Sequence, residues 1–460
     1  MRIFRTYFAG SKKSGGINEL LVLAIPMVIS TAADGVMTFT DRLFMAKVGS
    51  EQMNAVMGGG VGFQVLTFFF IGLLGYSTAL VAQYFGAGEK HNSSKTTFQA
   101  IIISVIAWPV IILLKPLIAQ YFVYLKIPEV QLQYQTEYFN IMVFGGVFAI
   151  LRHSLSCFFS GIGKTKIVMR ATIVAMLLNV ILDYVLIFGK FGFEAMGIKG
   201  AAIASISGSA GAVIMLFYAF FHKTIKKEFS VMQSFRLDFS IMKKLFRFGY
   251  PAGLELFLNF FAFSTMISIF HSQGNIAATA STIMFNWDLV SFIPLLGVEI
   301  AVTSLVGRYM GAGRPQVAHR AAVSGIKIGV FYSIVILALF ITIPEVLVRV
   351  FEPVGHSHVF ESAVPVASNM IRIASIYVLV EAVMVALVGA LRGAGDTFFT
   401  MIASVTAHWM FVPIIYCSLK FFNMSVEWSW FLLVIAFLLF SFVLYFRFKS
   451  GKWKKIKVIG

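Results

Sequence analysis

Leu23-Ala24-Ile25-Pro26 opens an apolar stretch that closes, sixty residues after its proline, at Gly86-Ala87-Gly88; Phe248-Gly249-Tyr250-Pro251 opens a second that closes, again sixty residues on, at Gly311-Ala312-Gly313. A further echo follows in each half. Ser160-Gly161-Ile162-Gly163-Lys164-Thr165 is matched by Arg392-Gly393-Ala394-Gly395-Asp396-Thr397, and the offset between the copies drifts only from 225 to 232 residues. A repeat of this length predicts two similar lobes within one chain.

Composition fixes the solvent of those lobes. With 59% hydrophobic and 12% charged residues, the chain has about half the charge of an ordinary soluble protein. Apolar runs long enough to cross a bilayer, at roughly 20 helical residues per crossing, recur between short polar breaks. Twelve are expected, at 17–44, 54–84, 97–123, 132–156, 167–189, 198–221, 245–271, 276–307, 321–349, 363–391, 398–419 and 428–447. The runs are too long, and too little alternating, for the strands of a membrane barrel. The expected fold is therefore an all-α polytopic membrane protein, with twelve transmembrane helices in two pseudo-symmetric six-helix lobes. Residues 1–221 form the first lobe, 222–244 a cytoplasmic inter-lobe loop and 245–460 the second lobe with its basic tail. Six spans per lobe is an even number, so the lobes are parallel repeats related by an axis along the membrane normal, an arrangement typical of transporters.

The net charge of +17 suggests nucleic acid until its distribution is considered. Lysines and arginines gather in the two tails and every second loop, including Lys90 and Lys95, Lys164 to Arg170, Lys223 to Arg247 and Arg308 to Arg320, whereas the intervening loops hold few. This asymmetry predicts a multi-pass protein of the cell membrane with both termini in the cytoplasm, in contact with membrane lipids and without a nucleic-acid partner. Two cysteines, Cys157 and Cys417, imply no disulfide framework. No Ser/His/Asp set, zinc motif or nucleotide fingerprint stands out, so no enzyme, cofactor or metal site is expected.

Ionisable residues inside a span cost at least ~2.5–3.5 kcal/mol on insertion scales and each requires a reason. The candidates are Asp34, Asp41, Asp183, Glu255, Asp288, Glu299 and Glu381. Asn179 and Asp183 are four residues apart, as are Tyr377 and Glu381, which puts each pair on one helix face. A carboxylate beside amide and hydroxyl oxygens suits a proton or a hard monovalent cation, because a carboxyl group in a low-dielectric pocket holds its proton to higher pH. The structural alternative is an interhelical hydrogen-bond clamp, for which Asp34 and Asp288 are the best candidates; both also qualify for substrate or proton contact. The repeat offset of 225 sets Asp41 against Met266 and Glu255 against Ser30, so these acids have no acidic counterpart in the other lobe. Pro26 and Pro251, each inside the first span of its lobe, are candidate bend points.

These residues also carry a resemblance. Thr40-Asp41 followed by Val48-Gly49, the Gly-Ala-Gly after spans two and eight, Leu178-Asn179-Val180-Ile181-Leu182-Asp183, Gly200-Ala201-Ala202-Ile203-Ala204-Ser205 and Gly389-Ala390-Leu391-Arg392-Gly393 together resemble the multidrug and toxic compound extrusion (MATE) family over nearly the whole chain. The resemblance implies an exporter of organic, often cationic and aromatic compounds, driven by H+ or Na+ through alternating access and expected to act as a monomer. It implies an amino-lobe cation site of Asp41, Tyr138, Asn179, Asp183 and Ser205, and a carboxyl-lobe site of Glu255, Tyr377 and Glu381. It departs from the family at Arg42, where a small residue is usual. A flippase for lipid-linked oligosaccharides, from a related group, would need several basic residues in its cavity; Lys115, Lys327 and Arg372 are the dispersed candidates. A non-transporting scaffold gives no reason for asymmetric intramembrane acids.

Overall fold

The computed structural model describes residues 13–125, 127–353 and 357–459. Arg2, Arg5 and Lys12, part of the basic amino-terminal tail, lie outside them. Among the described residues, twelve helices are long and apolar enough to cross a membrane: α1 Ile17–Val48, α2 Glu51–Gly86, α3 Lys90–Tyr124, α4 Glu129–Gly161, α5 Thr165–Phe188, α6 Ile198–Phe221, α7 Phe239–His271, α8 Asn275–Gly311, α9 Pro315–Thr342, α10 His358–Ala394, α11 Thr397–Lys420 and α12 Val426–Lys449. No strand occurs among the described residues.

Local chemistry sets several ends. The Asp238 side chain accepts from the backbone N–H groups of Ser240 and Ile241, capping α7 six residues before the expected start. Gly189 and Gly395, both at positive φ, end α5 and α10. The ninth span is shorter than expected. It stops at Thr342, and Pro344 starts a separate short helix, Pro344–Arg349, because proline fits the first turn of a helix but not its interior.

The packing repeats itself as a two-fold relation requires. Within the first lobe α1 packs on α5, α2 on α4, and α4 and α5 on α6; within the second, α7 packs on α11, α8 on α10, and α10 and α11 on α12. Between lobes α1 meets α8, α7 meets α2, and the end of α2 meets the end of α8. The glycines of the repeat sit where those pairs touch. A Cβ on Gly297 would strike the backbone of Val28, and one on Gly72 the backbone of Ala252 and Gly253; one on Gly86 would strike the carbonyl of Arg308, and one on Gly311 that of Gln83. Each of these pairs maps onto the other by the offset of 225.

The first helix of each lobe also crosses into the other. Leu20 and Leu23 of α1 belong to the hydrophobic core of the carboxyl lobe, while Ile241 and Leu245 of α7 belong to a core built from α2, α3 and α4. Hydrogen bonds between the lobes gather at this same end, which carries the described ends of the chain. Tyr309 Oη donates to Glu19 Oε2 at 2.8 Å, Gln83 Nε2 to the Gly393 carbonyl at 2.9 Å, Ser304 Oγ to the Ser160 carbonyl at 2.6 Å and Ser324 Oγ to the Gly15 carbonyl at 2.9 Å. Toward the opposite end α1 exposes Val36, Phe39 and Leu43. The lobes are thus joined at the basic end and parted at the other.

Candidate functional site

Helices α5 and α6 approach closely because α6 presents small residues to α5. A Cβ on Gly200 would meet the backbone of Leu186, and one on Gly208 the carbonyl of Ala175. This brings Ser205 of α6 beside Asn179 of α5, whose Nδ2 lies 3.3 Å from Ser205 Oγ. Ser205 Oγ in turn donates to Asp41 Oδ2 of α1 at 2.9 Å. Asp183, one turn beyond Asn179 and fully buried, lies within hydrogen-bonding reach of Asp41. Tyr138 of α4 is buried close to both acids and to Ser205. All five residues expected in the amino-lobe site therefore converge from four helices.

The feature that distinguishes this cluster is the number of its oxygens that no donor reaches. Asp41 Oδ1, Asn179 Oδ1 and both Asp183 oxygens are buried with no hydrogen-bond partner among the described residues. Two buried carboxylates this close repel each other unless a proton or cation lies between them. The basic neighbour does not supply it: Arg42 is exposed.

The carboxyl lobe divides its acids between two places. Glu255 of α7 does not join Tyr377 and Glu381. Its Oε2 lies 3.1 Å from Arg392 Nη2 at the end of α10, while Arg392 Nη1 lies 2.6 Å from Glu299 Oε1 of α8. One guanidinium thus bridges two carboxylates on different helices, a geometry its planar fork suits. Tyr377 Oη donates to Glu381 Oε1 at 2.9 Å, as their four-residue spacing predicts. Asp288 of α8 lies close enough to Glu381 for their charges to interact, and Asp288 Oδ1 and Glu381 Oε2 are left without partners.

Asp34 is brought neither to Asp41 nor to a clamp of neutral groups. Its Oδ1 lies 2.8 Å from Arg152 Nη1 of α4, with the acid 42% and the arginine 20% accessible. α1 packs on α2, α5 and α8, and α4 on α2, α3 and α6, so this pair spans the space between two helices that scarcely touch. Pro26 and Pro251 are buried in α1 and α7 next to the close inter-lobe contacts at Val28 and at Ala252. Sequence reasoning missed the basic partners. Arg372 is exposed, and Lys115 is half-buried with its Nζ 5.5 Å from the Phe144 ring. The arginines that reach intramembrane acids are Arg152 and Arg392. A signal was present, since Arg152 interrupts an apolar run and each costly buried acid calls for a counter-charge.

With this geometry in place, the chain compares with known proteins as follows. It is 26% identical over 99% of its length to the probable multidrug resistance protein NorM of Thermotoga maritima, of which it covers 97%. It is also 26% identical to the multidrug resistance protein MdtK of Yersinia pestis, over 85% of each chain. A crystal structure of MATE in complex with MaL6 superimposes with a TM-score of 0.87 at 19% identity, covering 96% of this chain and 97% of the other. The MatE family pattern matches residues 26–185 and 251–417, one copy for each half of the repeat. The chain belongs to the MatE family.

Proposed function

We propose that this protein is a secondary active multidrug efflux transporter of the cell membrane that exports organic, often cationic and aromatic compounds in exchange for H+ or Na+. Residues 1–221 and 245–460 act as the two lobes and 222–244 as a cytoplasmic link. The lobes rock about the contacts between α1 and α8 and between α7 and α2. The observation that carries this reading is the group of donor-free oxygens on Asp41, Asn179 and Asp183. A buried acidic pair that protein groups leave unsatisfied has high affinity for a mobile proton or cation.

With the basic end cytoplasmic, the described conformation is open outward. In that state the cation reaches Asp41 and Asp183 from outside, and its binding favours release of the drug. Rocking opens the cytoplasmic side, where the cation leaves and a new drug binds. Exchange needs only that the two ligands prefer different states or compete for one site. Each charge moving down a 100 mV potential supplies ~2.3 kcal/mol, about a 50-fold gradient at ~1.4 kcal/mol per decade. The accessibility of the Asp34–Arg152 pair between α1 and α4 supports a substrate contact at Asp34. Pro26 and Pro251 leave one backbone carbonyl of α1 and α7 without its helical donor, which lets these inter-lobe helices bend. Monomeric action agrees with both lobes, and hence the whole route, lying in one chain.

Arg152 and Arg392 are each committed to a carboxylate, which argues against a pyrophosphate-binding flippase. The decisive experiment reconstitutes the full chain in liposomes with a fluorescent organic cation and imposes pH and Na+ gradients separately. Flux driven by one gradient is expected. Flux indifferent to both gradients would overturn the reading.

A further inference from the structure

A groove of about 360 Å³ opens on the side of the amino lobe at the basic end, between the start of α5, the end of α6 and the short helix Lys223–Glu228. Its lining is amphipathic. Ile167, Met215 and Ile225 give it an apolar wall, whereas Lys164, Arg170 and His222 bring nitrogen groups to its edge. Charge there is poorly compensated by the protein. Glu228 is shared between Lys90 at 3.0 Å and Lys164 at 3.9 Å, so one carboxylate faces two ammonium groups.

Arg170 has less still. It is exposed, and among the described residues no carboxylate lies within 4.0 Å of it. It stands five residues past the start of α5, about 8 Å along the axis at 1.5 Å per residue, so its long side chain reaches the interface at the basic end, where lipid phosphates lie. Tyr218 of α6, lining the same groove and 75% exposed, is the amphipathic ring expected at headgroup level.

We propose that this groove binds the phosphate headgroup of an anionic phospholipid from the leaflet on the basic side. Lys164 and Arg170 hold the phosphate, His222 and the Tyr218 hydroxyl contact the polar headgroup, and the glycerol and upper acyl chain lie on Ile167 and Met215. Charge complementarity selects an anion. The apolar wall of Ile167, Met215 and Ile225 selects a lipid over free phosphate, which has nothing to place there.

Native mass spectrometry of the full chain in detergent tests this with phosphatidylglycerol and phosphatidylcholine of matched acyl chains. Phosphatidylglycerol is expected to be retained about tenfold more strongly, with Arg170→Gln and Lys164→Gln each weakening it roughly fivefold, as each basic group near an anionic surface contributes on that scale. Arg170→Lys should keep most of the preference. Lys452→Gln, which removes an exposed charge elsewhere at the basic end, should change nothing. Equal retention of the two lipids, or a loss in Lys452→Gln matching that in Arg170→Gln, would overturn the proposal. Displacement of the lipid by inorganic phosphate would overturn the choice of occupant. Should Arg170→Gln fail to fold, Lys164→Gln alone decides.

Discussion

The two lobes share one scaffold and divide their intramembrane acids differently. In the amino lobe Asp41 and Asp183 face each other with no ion pair to either among the described residues, and the oxygens of Asp183 find no donor. In the carboxyl lobe Glu255 and Glu299 are joined through Arg392, whereas Glu381 with Asp288 has no ion pair among the described residues. A guanidinium fixed to the chain neutralises carboxylates permanently, whereas an acidic pair without one must take its positive charge from solution. On the proposed reading, the contrast favours the amino lobe for cation exchange, while Arg392 ties α7, α8 and α10 together.

Removing the tie should give the largest effect. Arg392→Met leaves two buried carboxylates uncompensated and should destabilise the protein by about 3–5 kcal/mol, the usual cost of breaking a buried pair, as measured by thermal unfolding in detergent. Adding Glu255→Gln and Glu299→Gln should recover much of that loss. If Asp41→Asn proved equally destabilising, the distinction between the lobes would collapse.

Function should rank the other way. Asp41→Asn and Asp183→Asn should each cut cation-driven flux by roughly 100-fold at normal membrane levels, the scale on which an intramembrane acid interacts. Glu381→Gln should cost about tenfold and Glu255→Gln less, so a loss at Glu255 as deep as that at Asp41 would restore two equal cation sites. The smallest effects test the symmetry of the closed end. Gly86→Ala and Gly311→Ala each push a methyl against a carbonyl of the opposite lobe, and should shift the balance toward separation of the basic ends by about 1–3 kcal/mol, the usual cost of overpacking. Distances between spin labels on the two lobes would read this. A shift in one variant and none in the other would break the two-fold relation.

Much of this molecule was open to view in the sequence. Asn179 with Asp183, and Tyr377 with Glu381, each lie one helical turn apart, so hydropathy and spacing sufficed to put them on one face. The run from Gly200 to Ser205 was legible through the family resemblance alone, and the close contact of α6 with α5 emerged from the structure. Arg392 was hidden because it ends a span beside Gly393 and Gly395, where a basic residue passes for part of a turn. Arg152 was hidden because its partner lies 118 residues away.

The sequence by itself determined the solvent, the twelve helices, the doubling and the identity of the buried acids, because each follows from local composition or from comparing one half with the other. Only the tertiary structure decided which acids meet an arginine, and which end of the lobes is joined. It also revealed that the starts of α1 and α7 are exchanged between the lobe cores. These outcomes depend on distances across the bundle between residues far apart in the chain, and electrostatic pairing changes steeply over a few ångströms in a low dielectric.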